Sequence, residues 1–105
     1  MDAVFKALAD ASRRELLDRL RAENGQTLNE LCARLAMTRQ AVSKHLAVLE
    51  GANLVATEKR GREKLHYLNP VPIQEIADRW IGKYERGVLA ALANLKRRLE
   101  GDSDG

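Results

Sequence analysis

The sequence predicts a mainly α-helical fold with one small β-hairpin: about five helices and a two-stranded wing. Three observations carry this. Apolar residues recur every three or four positions from Val4 to Leu49, the period drops to two between Leu54 and Leu68, and helical spacing returns from Pro72 to Leu99. A chain of 105 residues, 45% of them hydrophobic, has material for one core. We therefore assign residues 1–100 to a single domain. The remaining Gly101-Asp102-Ser103-Asp104-Gly105 is devoid of apolar side chains and is expected to be a disordered tail.

Val4, Phe5, Leu8 and Ala9 mark a first helix, and Leu16, Leu17 and Leu20 mark a second, with Ser12 as its expected N-cap. Asn24-Gly25 ends it. Thr27 and Glu30 have capping-box spacing, which starts a third helix running to about Leu35. Thr38 then caps a fourth. Only Ala36, Met37 and Thr38 lie between the third and fourth, so these two must meet steeply, as in a helix-turn-helix.

The fourth helix has two characters. Val42, Leu46 and Leu49 make its buried stripe, while Arg39, Gln40, Ser43, Lys44 and Ala47 fall on another face. That face carries the donors and acceptors that read DNA: Arg suits guanine, Gln suits adenine, and Ser or Lys serve bases or backbone. Ala47 permits close approach. The plain alternative is an ordinary solvated face, which surface helices commonly present.

Gly51 is the expected stop of this helix. Beyond it, Leu54, Ala56 and Glu58 alternate with Val55, Thr57 and Lys59, and Leu65, Tyr67 and Leu68 follow the charged stretch Lys59-Arg60-Gly61-Arg62-Glu63-Lys64. This is a hairpin with a basic tip, and with the preceding helix pair it makes a winged helix-turn-helix. Such charges also protect a sheet edge from aggregation. The charge distribution favours a polyanion partner. Residues 37–68 hold six Lys and Arg against three Asp and Glu, whereas the flanking segments balance, so the net +3 lies entirely in this stretch.

The stretches ALADASRR, AVSKHLAVLEGANLV and GREKLHYL, within residues 4 to about 85, resemble the winged-helix core of the ArsR-type (arsenic-repressor-like) bacterial transcriptional regulators. Ala11 stands where that family usually has proline. The resemblance implies a homodimeric repressor on a palindromic double-stranded operator. By the same resemblance, Arg39, Gln40, Ser43 and Lys44 lie at the operator and the wing tip meets phosphates; Thr38, His45, Lys59, Arg60, Arg62 and Lys64 complete the expected contact residues, His45 as a helix-flank residue near a phosphate.

A dimer is also expected from the C-terminal pattern. Ile73, Ala77, Trp80, Tyr84, Val88, Leu92, Leu95 and Leu99 recur at spacings of three or four, predicting one helix over about 72–99, roughly 40 Å long at 1.5 Å per residue. Its stripe exceeds the core beneath it and is expected to pack on a second copy, together with Phe5. Folding back, or interruption at Gly82 or Gly87, is the alternative.

Metal-sensing relatives use a cysteine pair on the third helix or His and acidic groups on the last. Here Cys32 matches the first cysteine, Arg34 replaces the second, and no His or Cys follows His66. His45 and His66 lack company, so we expect neither metal nor cofactor. Cys32, on the stripe Leu28, Leu31, Cys32, Leu35, is expected to be buried rather than redox-active. The absence of a phosphate loop, a nucleophile-histidine pair or paired carboxylates argues against an enzyme. The rival functions are a winged helix used only for protein contact and a metal- or thiol-responsive repressor. The longest apolar run, Val88 to Ala93, is too short for a membrane span, and no leader pattern opens the chain, so a cytoplasmic protein is expected.

Overall fold

The computed structural model describes residues 1–81 and 86–104. Among them run six helices and two strands, in the order α1 (Asp2–Leu8), α2 (Ala11–Ala22), α3 (Leu28–Arg34), α4 (Arg39–Gly51), β1 (Val55–Arg60), β2 (Glu63–Leu68), α5 (Val71–Trp80) and α6 (Arg86–Asp104). The mainly helical fold with a single hairpin is as expected. The chain divides into two compact units, Met1–Ile73 and Gln74–Gly105.

In the first unit, Leu16, Leu20, Leu31, Val42, Leu49 and Leu54 are sealed from solvent and form the core that α1 to α4 enclose. The start of α2 differs from the sequence expectation. Asp10, not Ser12, is the N-cap: its Oδ1 accepts the backbone N–H of Arg13 at 3.0 Å. That bond, reinforced by the Arg13 guanidinium, holds the Asp10 carboxyl below its ordinary value against the opposing pull of desolvation. Ala11 is thus the first helical residue, an exposed position that accepts proline because its N–H has no partner within the helix.

Arg13 and Arg14 close α1. The Arg13 Nε and Nη2 donate to the carbonyls of Ala7 and Lys6 at 2.8 and 3.0 Å, and Arg14 Nη1 donates to Leu8 O at 2.7 Å. These groups satisfy carbonyls that a helix end leaves without partners.

Thr27 caps α3 as its spacing predicts, accepting Glu30 N–H at 3.2 Å, although its hydroxyl also donates to the Glu30 carboxylate in place of the usual return bond to the backbone. Thr38 caps α4 in the same manner, accepting Ala41 N–H at 3.1 Å.

The end of α4 is a second departure. Gly51 stays helical, and the left-handed residue is Asn53, at φ 62°. Asn53 N–H donates to Glu50 O at 3.0 Å and Leu54 N–H to Leu49 O at 2.9 Å, the paired bonds of a Schellman motif with asparagine in the glycine role. Leu54 is thereby driven into the core and the chain leaves directly into β1.

The hairpin pairs Val55 with Leu68 through Arg60 with Glu63, leaving Gly61 and Arg62 as a two-residue turn. Gly61 has φ 64°, which an L side chain at the first turn position seldom adopts. Strict alternation fails at Leu65 and His66, which are both buried. Gln26 explains this: it pairs with His66 as a one-residue third strand, so β2 is flanked on both sides there.

The second unit holds the rest of α5 and α6. Of the helix expected over 72–99, the described residues include α5 to Trp80 and α6 from Arg86, and residues 82–85, including Tyr84, lie outside the described residues. α6 continues through Gly101 to Asp104, four residues into the segment expected to be a disordered tail. Its bonds follow from the helical turns before it.

Candidate nucleic-acid interface

α4 positions its polar residues by burying the opposite side. Val42 and Leu49 are fully buried and Leu46 nearly so, and Thr38, Arg39, Gln40, Ser43, Lys44 and Ala47 are exposed. The side chains beside this buried face form two strips. Arg39, Ser43, Leu46 and Glu50, at spacings of four, three and four, line one wall of a cleft of about 380 Å³ whose other walls come from Thr27, Leu28 and Asn29 and from Arg62, Glu63, Lys64 and His66. Gln40, Lys44 and Ala47 stand on the neighbouring strip, away from the cleft.

Two side-chain contacts define the cleft. Arg39 Nη1 donates to Asn29 Oδ1 on α3, across the turn of the helix pair. Lys64 Nζ lies 3.1 Å from Glu50 Oε1, joining β2 to the last turn of α4. The wing is therefore not a loose arm.

At the wing tip Arg62 is exposed, Arg60 Nη2 lies 3.6 Å from Glu58 Oε1, and Lys59 stands directly across from Lys64. Facing like charges destabilise a hairpin slightly, a cost that an anionic partner relieves. Of the expected contact residues, the fold gathers Arg39, Ser43, Arg62 and Lys64 around one cleft. Lys59 and Arg60 remain on the exposed hairpin outside it.

His45, expected beside a phosphate, is half-buried, with Nδ1 3.4 Å from Arg13 Nη1 on α2. Cys32 is half-buried rather than buried, since α3 is short and its stripe is only partly covered. Asn29, Glu50 and His66 were not among the expected site residues. The spacing of Glu50 from Arg39, Ser43 and Leu46 was a readable signal; Asn29 and His66 reach the cleft only through tertiary packing.

The sequence from residue 8 to 58 matches the family model described as a helix-turn-helix domain. The chain is 43% identical to the HTH-type transcriptional regulator YuzN of Bacillus subtilis, over 76% of this chain and 94% of that protein. It also aligns, at 32% identity and a TM-score of 0.69, with the structure of an ArsR-like transcriptional regulator from Rhodococcus sp. RHA1, over 98% of this chain and 86% of that one. The chain belongs to the ArsR family. It is a DNA-binding transcriptional regulator and not an enzyme. A further relative of this ArsR-family chain is the transcriptional repressor SdpR of Bacillus subtilis, 28% identical over 71% of this chain and 82% of that protein. Among the described residues no helix is long and apolar enough to cross a membrane, and no three His, Cys, Asp or Glu side chains converge on a metal position.

Proposed function

We propose that this regulator is a cytoplasmic homodimeric repressor that reads a palindromic operator. The observation that carries the reading is the exposed polar side chains Arg39, Gln40, Ser43 and Lys44 on α4 beside a basic wing that Glu50 and Lys64 hold against the same helix. A helix of this kind fits the major groove, with the wing over the adjoining backbone. The name of SdpR supports repression rather than activation.

Dimerisation is supported by surface that a monomer leaves wet. Val88, Leu92, Leu95 and Leu99 lie along α6 at spacings of four, three and four, all exposed, as are Trp80 and Phe5. A two-fold pair of readers requires half-sites about one helical turn apart or a multiple of it. Metals are not the releasing signal in this reading, because Arg34 replaces the second thiolate beside Cys32.

Selection of duplexes from a random-sequence pool tests the proposal. The expected product is an imperfect inverted repeat bound by two chains; enrichment of no sequence, or of an unrepeated one, overturns it.

A further inference from the structure

The two histidines are held in opposite tautomers. A guanidinium only donates, so His45 Nδ1, 3.4 Å from Arg13 Nη1, must accept, and the ring proton of neutral His45 sits on Nε2. A carbonyl only accepts, so His66 Nδ1, 2.9 Å from Gln26 O, carries the proton and donates. The Nε2 of neutral His66 is left bare.

His66 is 4% exposed and lines the cleft, and its Nε2 makes no hydrogen bond among the described residues. Among the described residues the sealed, unpartnered side-chain polar atom is Gln26 Oε1, so the unpartnered Nε2 is not sealed. Around it stand Arg39 and Glu50 from α4, Glu63 and Lys64 from β2, Arg62 from the turn, and the uncharged Thr27 before α3. Thr57, across from His66 on β1, is also uncharged, and α2 offers the Gln26 amide only the carbonyls of Arg19 and Glu23.

We propose that His66 is a proton-linked contact to a DNA phosphate seated in this cleft, a role that rests on the DNA-binding function. A phosphodiester presents acceptors alone, so bare Nε2 has nothing to offer it. An imidazolium donates from Nε2 while keeping its Nδ1 bond to Gln26, so binding takes up one proton from solvent at Nε2. Affinity therefore rises as pH falls and is lost as pH rises.

The test uses a mixed-sequence duplex, since a backbone contact needs no operator. Affinity is measured by fluorescence anisotropy at fixed ionic strength from about pH 5.5 to 8. His66→Asn keeps a short amide donor for the Gln26 carbonyl and removes the titrating nitrogen; thermal melting verifies its fold. The wild type should lose affinity with a slope approaching about tenfold per pH unit, the limit for one linked proton, and the variant should lose that component. Imidazole nitrogen spectra of the wild-type complex at the acid end of that range should show His66 protonated on both nitrogens, a readout that stands even if the variant fails to fold. Equal slopes in wild type and folded variant, or a bare Nε2 in the complex, overturn the proposal. No duplex binding at any pH overturns the DNA-binding function along with it.

Discussion

Lys64 on β2 holds its ammonium 3.1 Å from the carboxylate of Glu50 on the last turn of α4. With the Lys64 side chain 56% exposed and that of Glu50 29% exposed, this is a surface pair worth about 0.2 to 1 kcal/mol to the fold. Its larger effect is on charge, because the carboxylate neutralises a cation on the surface proposed to meet DNA. Glu50→Gln should cost less than about 1 kcal/mol in urea unfolding yet tighten duplex binding severalfold at low salt. Weaker binding by a folded variant would show that Glu50 serves to aim Lys64.

The wing tip should contribute affinity without sequence preference. Each phosphate neutralised on duplex DNA adds about 0.9 to the slope of log affinity against log salt, so replacing Arg60 and Arg62 by alanine should flatten it by up to about 1.8. The preferred sequence should stay the same. An unchanged slope in titrations at several salt concentrations would remove the wing from the backbone.

Gln40 and Ser43 should act on specificity. Gln40→Ala should cost about 1 to 3 kcal/mol on the selected duplex, the range for one lost bidentate base contact, and much less on random DNA. Equal losses on both duplexes for Gln40→Ala and Ser43→Ala would make α4 a phosphate clamp.

Charged residues along α6 should separate the chains. The double substitution Leu92→Glu, Leu95→Glu should sediment as a monomer and lose on the order of a hundredfold in affinity for a two-half-site duplex, since the second half-site is then no longer tethered. A dimer that survives both changes would place the interface elsewhere.

Thr38→Ala removes the cap that starts α4, whose hydroxyl accepts Ala41 N–H at 3.1 Å. The expected loss in denaturant unfolding is about 1 kcal/mol. Because Arg39 and Gln40 follow immediately, DNA affinity should fall by more than the loss of one hydroxyl contact would predict. A full-affinity variant would show that the first turn is set by Asn29 and the turn residues instead.

What the sequence determined by itself is local and periodic. The spacing of Val42, Leu46 and Leu49 sets which side of α4 is buried, the hydroxyls of Thr27 and Thr38 set where two helices begin, and Gly61 sets the tip of the hairpin. Each depends on residues within a few positions of one another, where backbone geometry leaves few options. The motif stretches likewise identified the family, because they preserve those short-range patterns. Tertiary structure decided what depends on contacts distant in the chain. Gly51 reads as a stop, yet Asn53 takes the left-handed turn because only then does Leu54 reach the core. His45 and His66 look alike in sequence; Arg13, thirty-two positions from one, and Gln26, forty from the other, give them opposite tautomers. The cleft follows the same logic, since Asn29, Glu50 and Lys64 meet only after the wing has folded back along α4, and no local pattern encodes a distance between elements that packing alone sets.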